Sequence, residues 1–173
     1  MQVKPLLDFI AEHESESAAK RLNVSAYNVV WNGIQPRHRP PKPLCTMTVA
    51  EVLAWQDSID PLYPSEAAGR YQIMEDTLRV TALAAGVKLT DRFDERTQDN
   101  LAVHLMRGRG LNFYLNGEIT AEQFANQLAR EWASLPVVSG RKKGRSFYDG
   151  DGLNKSLVSV QPFLAAVRAI LRG

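Results

Sequence analysis

Glu14 is the residue of this chain best placed to move a proton. It sits near the end of the segment Leu6-Leu7-Asp8-Phe9-Ile10-Ala11-Glu12-His13-Glu14-Ser15. On a helix, Leu7, Ile10, Ala11 and Glu14 share one face at the i, i+3, i+4, i+7 spacing, while Glu12 and Glu16 project the other way. The pattern therefore drives one carboxyl inward. A carboxyl near a helix C-terminus and backed by apolar residues meets the negative end of the dipole and loses water. Both effects raise its pKa. A glutamic acid kept protonated near neutral pH is a general acid. Most helical glutamates are solvated surface residues, so spacing alone does not separate the two roles. Gly69-Arg70-Tyr71-Gln72, further along, is the stretch to read together with Glu14.

The elements that must hold these residues are mostly helical. The first helix is expected over about Pro5 to Ser15, with Pro5 in its first turn. Tyr27 to Gly33 is β-branched and aromatic and reads as a strand running into an Asn-Gly turn. Gln35 to Pro43, with three basic residues, a histidine and four prolines, reads as extended loop. Thr48-Val49-Ala50-Glu51 and Thr120-Ala121-Glu122-Gln123 are capping boxes. They open helices to about Ser58 and Ser134. Further helices are expected from Glu75 to Ala85, stopped by Gly86, from Asp94 to Arg107, and from Ser159 to Leu171. Asp60 to Ala68 and Pro136 to Asn154 read as loops. The expectation is a mainly helical domain with a small β element near residues 27–48.

Composition narrows the class. At 173 residues, one compact domain with a real core is expected. The net charge of +2 and the pI of about 8.8 suit an anionic polymer partner only weakly. Cys45 is the single cysteine, so no internal disulfide is possible. His13, His38 and His104 are scattered and show no metal-ligand spacing. The basic run Arg141-Lys142-Lys143 sits in a short glycine-rich loop, and no nucleic-acid motif accompanies it. A solvated loop is the reading it supports. No apolar run is long enough for a secretory signal core or a membrane span. Synthesis in the cytoplasm without a signal peptide is the expectation.

Ile10-Ala11-Glu12-His13-Glu14-Ser15 resembles the segment that holds the catalytic glutamate in soluble lytic transglycosylases and goose-type lysozymes. Ala68-Gly69-Arg70-Tyr71-Gln72 resembles their second motif. The match is closer to the lambda-type phage lysozymes of glycoside hydrolase family 104. Tyr27-Asn28-Val29-Val30, Trp132-Ala133-Ser134-Leu135-Pro136 and Gly144-Arg145-Ser146-Phe147-Tyr148 fall in that group's order. One departure is Asn28, where the group has an aspartate. Another is the proline-rich stretch Pro36–Thr46, which looks like this chain's own.

The resemblance implies an α+β, mainly helical, lysozyme-like fold, with a helical lobe and a small β-containing lobe flanking a glycan cleft. It implies a single catalytic domain over residues 1–173 that cuts the β-1,4 bond from N-acetylmuramic acid to N-acetylglucosamine in peptidoglycan. Glu14 is the implied acid. Tyr27, Asn28, Gly69, Arg70, Tyr71, Gln72, Ser134, Leu135 and Tyr148 are the implied substrate-binding residues. Gln72 offers an amide that both donates and accepts, and Gly69 lets backbone approach a ligand. Tyr71 and Tyr148 either pack on sugar rings or close a small core. Trp132 reads as core.

Glycoside cleavage ordinarily uses two carboxylates. Glu16 faces away from Glu14 on the helix, and Asp57, Asp60, Glu66, Asp149 and Asp151 lie in or beside loops, where carboxylates are usually solvated. The missing partner favours a lytic transglycosylase, in which the sugar's own 6-hydroxyl attacks and the product is a 1,6-anhydromuramoyl end. A hydrolytic muramidase and a non-catalytic peptidoglycan-binding phage module are the alternatives. No cofactor and no metal are implied. A monomer working on peptidoglycan in the periplasm or cell wall, with a phage holin or virion components as partners, completes the expectation.

Overall fold

In a computed structural model of the chain, residues 3–170 are described. They are mainly helical and form two compact units. One joins the chain up to His13 to the chain from Leu105, and the other is Glu14–His104.

Helix α1, Lys4–Ala11, has Pro5 in its first turn and buries Leu6, Leu7, Ile10 and Ala11. The apolar spacing makes that face, as expected. The helix then departs from the simple α period. Glu12–Glu16 is a π-helical turn, and α2, Ser17–Leu22, follows without a break. Asn23 ends it in the left-handed conformation at φ 53°. The C-terminal end of the dipole therefore lies beyond Leu22, not at Glu14. Glu14 does not meet the negative end of the helix dipole, contrary to expectation.

In its first unit, α8 (Val160–Ala169) packs on α1 and on α7 (Ala121–Leu128), and α6 (Leu111–Leu115) packs on α7. Phe9 of α1 stacks on Phe163 of α8 at 6.1 Å, and Tyr114 of α6 stacks on Phe124 of α7 at 5.1 Å. The capping box at Thr120 forms, and α7 ends at Leu128, short of the expected Ser134. Leu171, the expected end of the last helix, lies outside the described residues.

In its second unit, α3 (Val49–Ile59) opens on the Thr48–Glu51 capping box and buries Val52, Leu53, Trp55, Gln56 and Ile59. It packs on α4, Glu75–Ala84, which Gly86 stops at φ +69°. Asp94 starts α5, Glu95–Gly108, by accepting the Thr97 N–H at 2.9 Å. The strand expected over Tyr27 to Gly33 is not formed. Ala26–Asn28 is a 3-10 turn, and Val30 makes one isolated bridge to Ala68. Side-chain ties at both ends of that turn override its β propensity. The Tyr27 hydroxyl donates to Asp99, and Asn28 Oδ1 accepts the Cys45 N–H at 2.9 Å. Pairing among the described residues is confined to isolated bridges.

Candidate active site

The second motif is a tight turn. Ala68 and Ile73 pair reciprocally, N–H to carbonyl, at 3.1 and 2.9 Å, and Gly69 to Gln72 form the loop between them. Three glutamines fix it. Gln56, fully buried on α3, donates from Nε2 to the Glu66 and Ile73 carbonyls at 3.0 and 2.9 Å. Gln72 adopts a left-handed backbone at φ 48° and donates from Nε2 to the Gly69 carbonyl at 2.8 Å. Gln98, fully buried on α5, accepts the Arg70 N–H on Oε1 at 2.9 Å. Its Nε2 donates to the Phe93 and Tyr27 carbonyls at 2.8 and 3.0 Å. Gly69 is required twice over. Its φ is +78°, and a Cβ there would lie 2.2 Å from Gln98 Oε1.

Arg70 carries a charge into this turn. Its guanidinium lies over the Tyr27 and Tyr71 rings at 5.1 and 5.6 Å. Nη1 donates to both tyrosine oxygens at 3.2 Å. Both hydroxyls in turn donate to Asp99 Oδ1, Tyr27 at 2.9 Å and Tyr71 at 2.6 Å. Asp99 is 3.9 Å from Nη1, and Glu16 is 3.8 Å from Nη2. Burial, and then the Asp99 carboxylate, push the Tyr27 hydroxyl up to about 12. The same causes push Tyr71 up further. Neither tyrosine ionises near neutral pH, so both remain donors to Asp99.

This cluster reaches the Glu14 segment through the two residues that follow Glu14. Ser15, buried, donates from Oγ to the Arg70 carbonyl at 2.8 Å. Glu16 meets the Arg70 guanidinium. Glu14 itself is half-buried on the π-helical turn, immediately before these two anchors. A π-turn of this kind, inserted in a helix, frequently marks a functional position.

The structure thus brings Tyr27, Gly69, Arg70, Tyr71 and Gln72 together beside the segment carrying Glu14, with Asn28 tying the same turn to Cys45. Tyr71 is 1 % exposed, and its hydroxyl is held by Asp99 and Arg70. Ser134, Leu135 and Tyr148 belong to the other unit. There Leu135 is fully buried and the Ser134 carbonyl accepts the Leu157 N–H at 2.8 Å. Trp132 is core. Tyr148, 42 % exposed, donates from its hydroxyl to the Arg130 carbonyl at 2.7 Å. Glu66 differs from the solvated carboxylate its loop suggests. It is buried, and Oε1 accepts the Glu75 N–H at 3.0 Å, compensating the first turn of α4.

Gln56, Gln98 and Asp99 are the residues that sequence reasoning missed. Gln98 was the most legible of them, because it shares a helix face with Leu101, Ala102 and Met106, where a polar side chain needs a buried partner. Asp99 had no such signal. Its partners, Tyr27 and Tyr71, lie far away in sequence. Among the described residues no cluster of His, Cys, Asp or Glu is grouped to hold a metal ion, and no helix is long and apolar enough to cross a membrane.

The Endolysin family profile matches residues 4–155, and the chain belongs to that family. It is therefore a phage lysin that degrades peptidoglycan. No curated protein and no solved structure matches it.

Two predictions follow from this geometry. Gly69 and Gly140 share a φ of +78°, but a Cβ at Gly140 meets nothing within 4 Å. Gly140→Ala should cost about 1 kcal/mol, for backbone strain alone. Gly69→Ala should cost about 3 kcal/mol or more, because Gln98 is buried and bonded and cannot withdraw. Urea unfolding of the two variants measures the difference.

Alkaline stability tests the tyrosine pair. Tyr27 moves from its ordinary value of 10.0 to about 12 in the folded protein, so the folded state holds that proton more tightly. Its contribution is full below pH 10 and is lost as pH rises towards 12. The urea midpoint should fall with pH across that range, and less steeply in Tyr27→Phe.

Proposed function

We propose that the chain is a lambda-type lytic transglycosylase with a lysozyme-like fold, and that Glu14 is its general acid and base. The observation that carries this is the Ser15–Arg70 hydrogen bond, which ties the Glu14 segment to the Gly-Arg-Tyr-Gln turn. The two motifs of the resemblance thereby meet in space. Family membership supports the substrate, and the matched stretch runs through both units, so we take them as one catalytic domain.

Glu14 protonates the oxygen leaving from C1 of N-acetylmuramic acid. The C1–O bond breaks through an oxocarbenium-like centre. The 6-hydroxyl of the same sugar attacks C1, and its proton passes to the Glu14 carboxylate. The net change moves one proton from that hydroxyl to the leaving oxygen, consumes no water and closes the 1,6-anhydro ring. Transglycosylation is favoured over hydrolysis by the engagement of the neighbouring carboxylates. Glu16 and Asp99 face Arg70, and Glu66 holds the start of α4. We assign Tyr27, Asn28, Gln72 and Tyr148 to sugar contact, and Gly69, Arg70, Tyr71, Ser134 and Leu135 to supporting it. The protein acts as a monomer on the cell wall and is admitted to it by a holin or carried on the virion.

Mass spectrometry of muropeptides released from purified peptidoglycan tests this reading. Wild type should give anhydromuramoyl ends, one water lighter than reducing ends. Glu14→Gln should lower release by about a thousandfold or more. Reducing ends from wild type would mean hydrolysis instead.

A further inference from the structure

Residues 29–44 form an Ω-loop whose ends are fastened at the candidate site. The loop leaves from Asn28 and returns at Cys45, and these two residues are hydrogen-bonded to each other. At its outer part, residues 35–43 hold three basic side chains and no acidic one. Lys42 is neutralised by Glu51 at 2.8 Å. Arg37 and Arg39 are exposed, and their guanidinium groups have no ion pair or hydrogen bond among the described residues.

The backbone beneath these two arginines is firmly held. His38, between them, accepts the Trp55 indole N–H on its carbonyl at 2.9 Å. Its ring Nδ1 lies 2.7 Å from the Tyr63 hydroxyl, which also accepts the Gln35 N–H at 3.2 Å. Trp55, bonded to the loop, and Ile34, within it, are both buried. Pro36 and Pro40 bracket it, and Gln35 and Arg39 are extended at φ −62° and −67°. A merely solvated loop needs none of this anchoring. Two unpaired guanidinium groups on a pre-formed backbone lose little entropy on meeting an anion.

We propose that Arg37 and Arg39 dock the carboxylates of the peptide stems of peptidoglycan, a proposal that rests on the reading of peptidoglycan as substrate. The N-acetylated glycan strand is uncharged, so it offers these arginines nothing to pair with. The stems attached to its muramic residues carry the carboxylates, and guanidinium groups match a carboxylate in a two-point fork. The Ω-loop then holds the strand by its peptides while the residues at its base face the sugars.

The test uses the full chain with Glu14→Gln, with and without Arg37→Ala/Arg39→Ala. Binding is read by cosedimentation with intact peptidoglycan and with peptidoglycan whose carboxylates have been converted to amides with a carbodiimide and ammonia. The double variant should bind intact peptidoglycan about fivefold more weakly, and amidated peptidoglycan as tightly as its parent. Arg37→Lys/Arg39→Lys should retain most of the affinity, and added salt should shrink the difference. Unchanged binding to intact peptidoglycan overturns the proposal, and so does an equal loss on both substrates. A loss seen only on phosphatidylglycerol vesicles assigns the arginines to a membrane and overturns it as well. Product analysis of the wild type is a separate readout, so docking and chemistry fail independently.

Discussion

Arg70 is a buried cation, 8 % exposed, and the arrangement around Glu14 depends on how its charge is satisfied. A guanidinium removed from water is costly unless it is paired and its N–H groups are bonded. Here Asp99 supplies the counter-charge, two tyrosine oxygens accept from Nη1, and two aromatic faces cover the plane. The tyrosines are locked in turn because each donates to Asp99. Every member therefore fixes the others, and a cluster that is fully satisfied is rigid. The backbone of the same residue faces the opposite task. Its N–H is held by Gln98 and its carbonyl by Ser15. One residue thus joins α5, the 68–73 turn and the helical segment that carries Glu14.

With Glu14 as the proposed general acid, that arrangement accounts for its place on a π-helical turn. The segment from Glu12 to Glu16 must present Ser15 to the Arg70 carbonyl and Glu16 to its guanidinium, with Glu14 directly before them. A general acid needs placement within a fraction of an ångström, and rigid neighbours provide it better than a long mobile side chain does. The Ω-loop stands on the same base. Tyr27 and Asn28 belong to the site cluster at one end, and Cys45 closes the loop at the other.

Local rules made much of this legible in the sequence. Pro5, the Thr48 and Thr120 capping boxes, Asp94 and Gly86 each set a helix end through a bond or a backbone angle to near neighbours. The apolar face of α1 followed from its spacing. The motifs were visible because Gly69 to Gln72 is one contiguous run and Glu14 ends a regularly spaced apolar face. Long-range bonds hid the rest. Tyr27 to Gly33 has strand composition, yet Asp99 and Cys45 hold its start in a 3-10 turn. The π-turn keeps α1 and α2 continuous where the α period suggested an end near Ser15. Gln56 and Gln98 read as ordinary helix formers until their buried partners are known. Helix α6, enclosed by Gly110 and Gly117, had too short a pattern to stand out.

The most direct test of this account removes one hydroxyl. Ser15→Ala deletes the bond to the Arg70 carbonyl and leaves the Arg70–Asp99–tyrosine cluster intact. Turnover of purified peptidoglycan should be measured at saturating substrate, with circular dichroism as a check on folding. The account predicts a folded protein whose kcat falls about tenfold with little change in KM. A folded Ser15→Ala variant with wild-type kcat would contradict it, because Glu14 would then not depend on the turn that Arg70 holds.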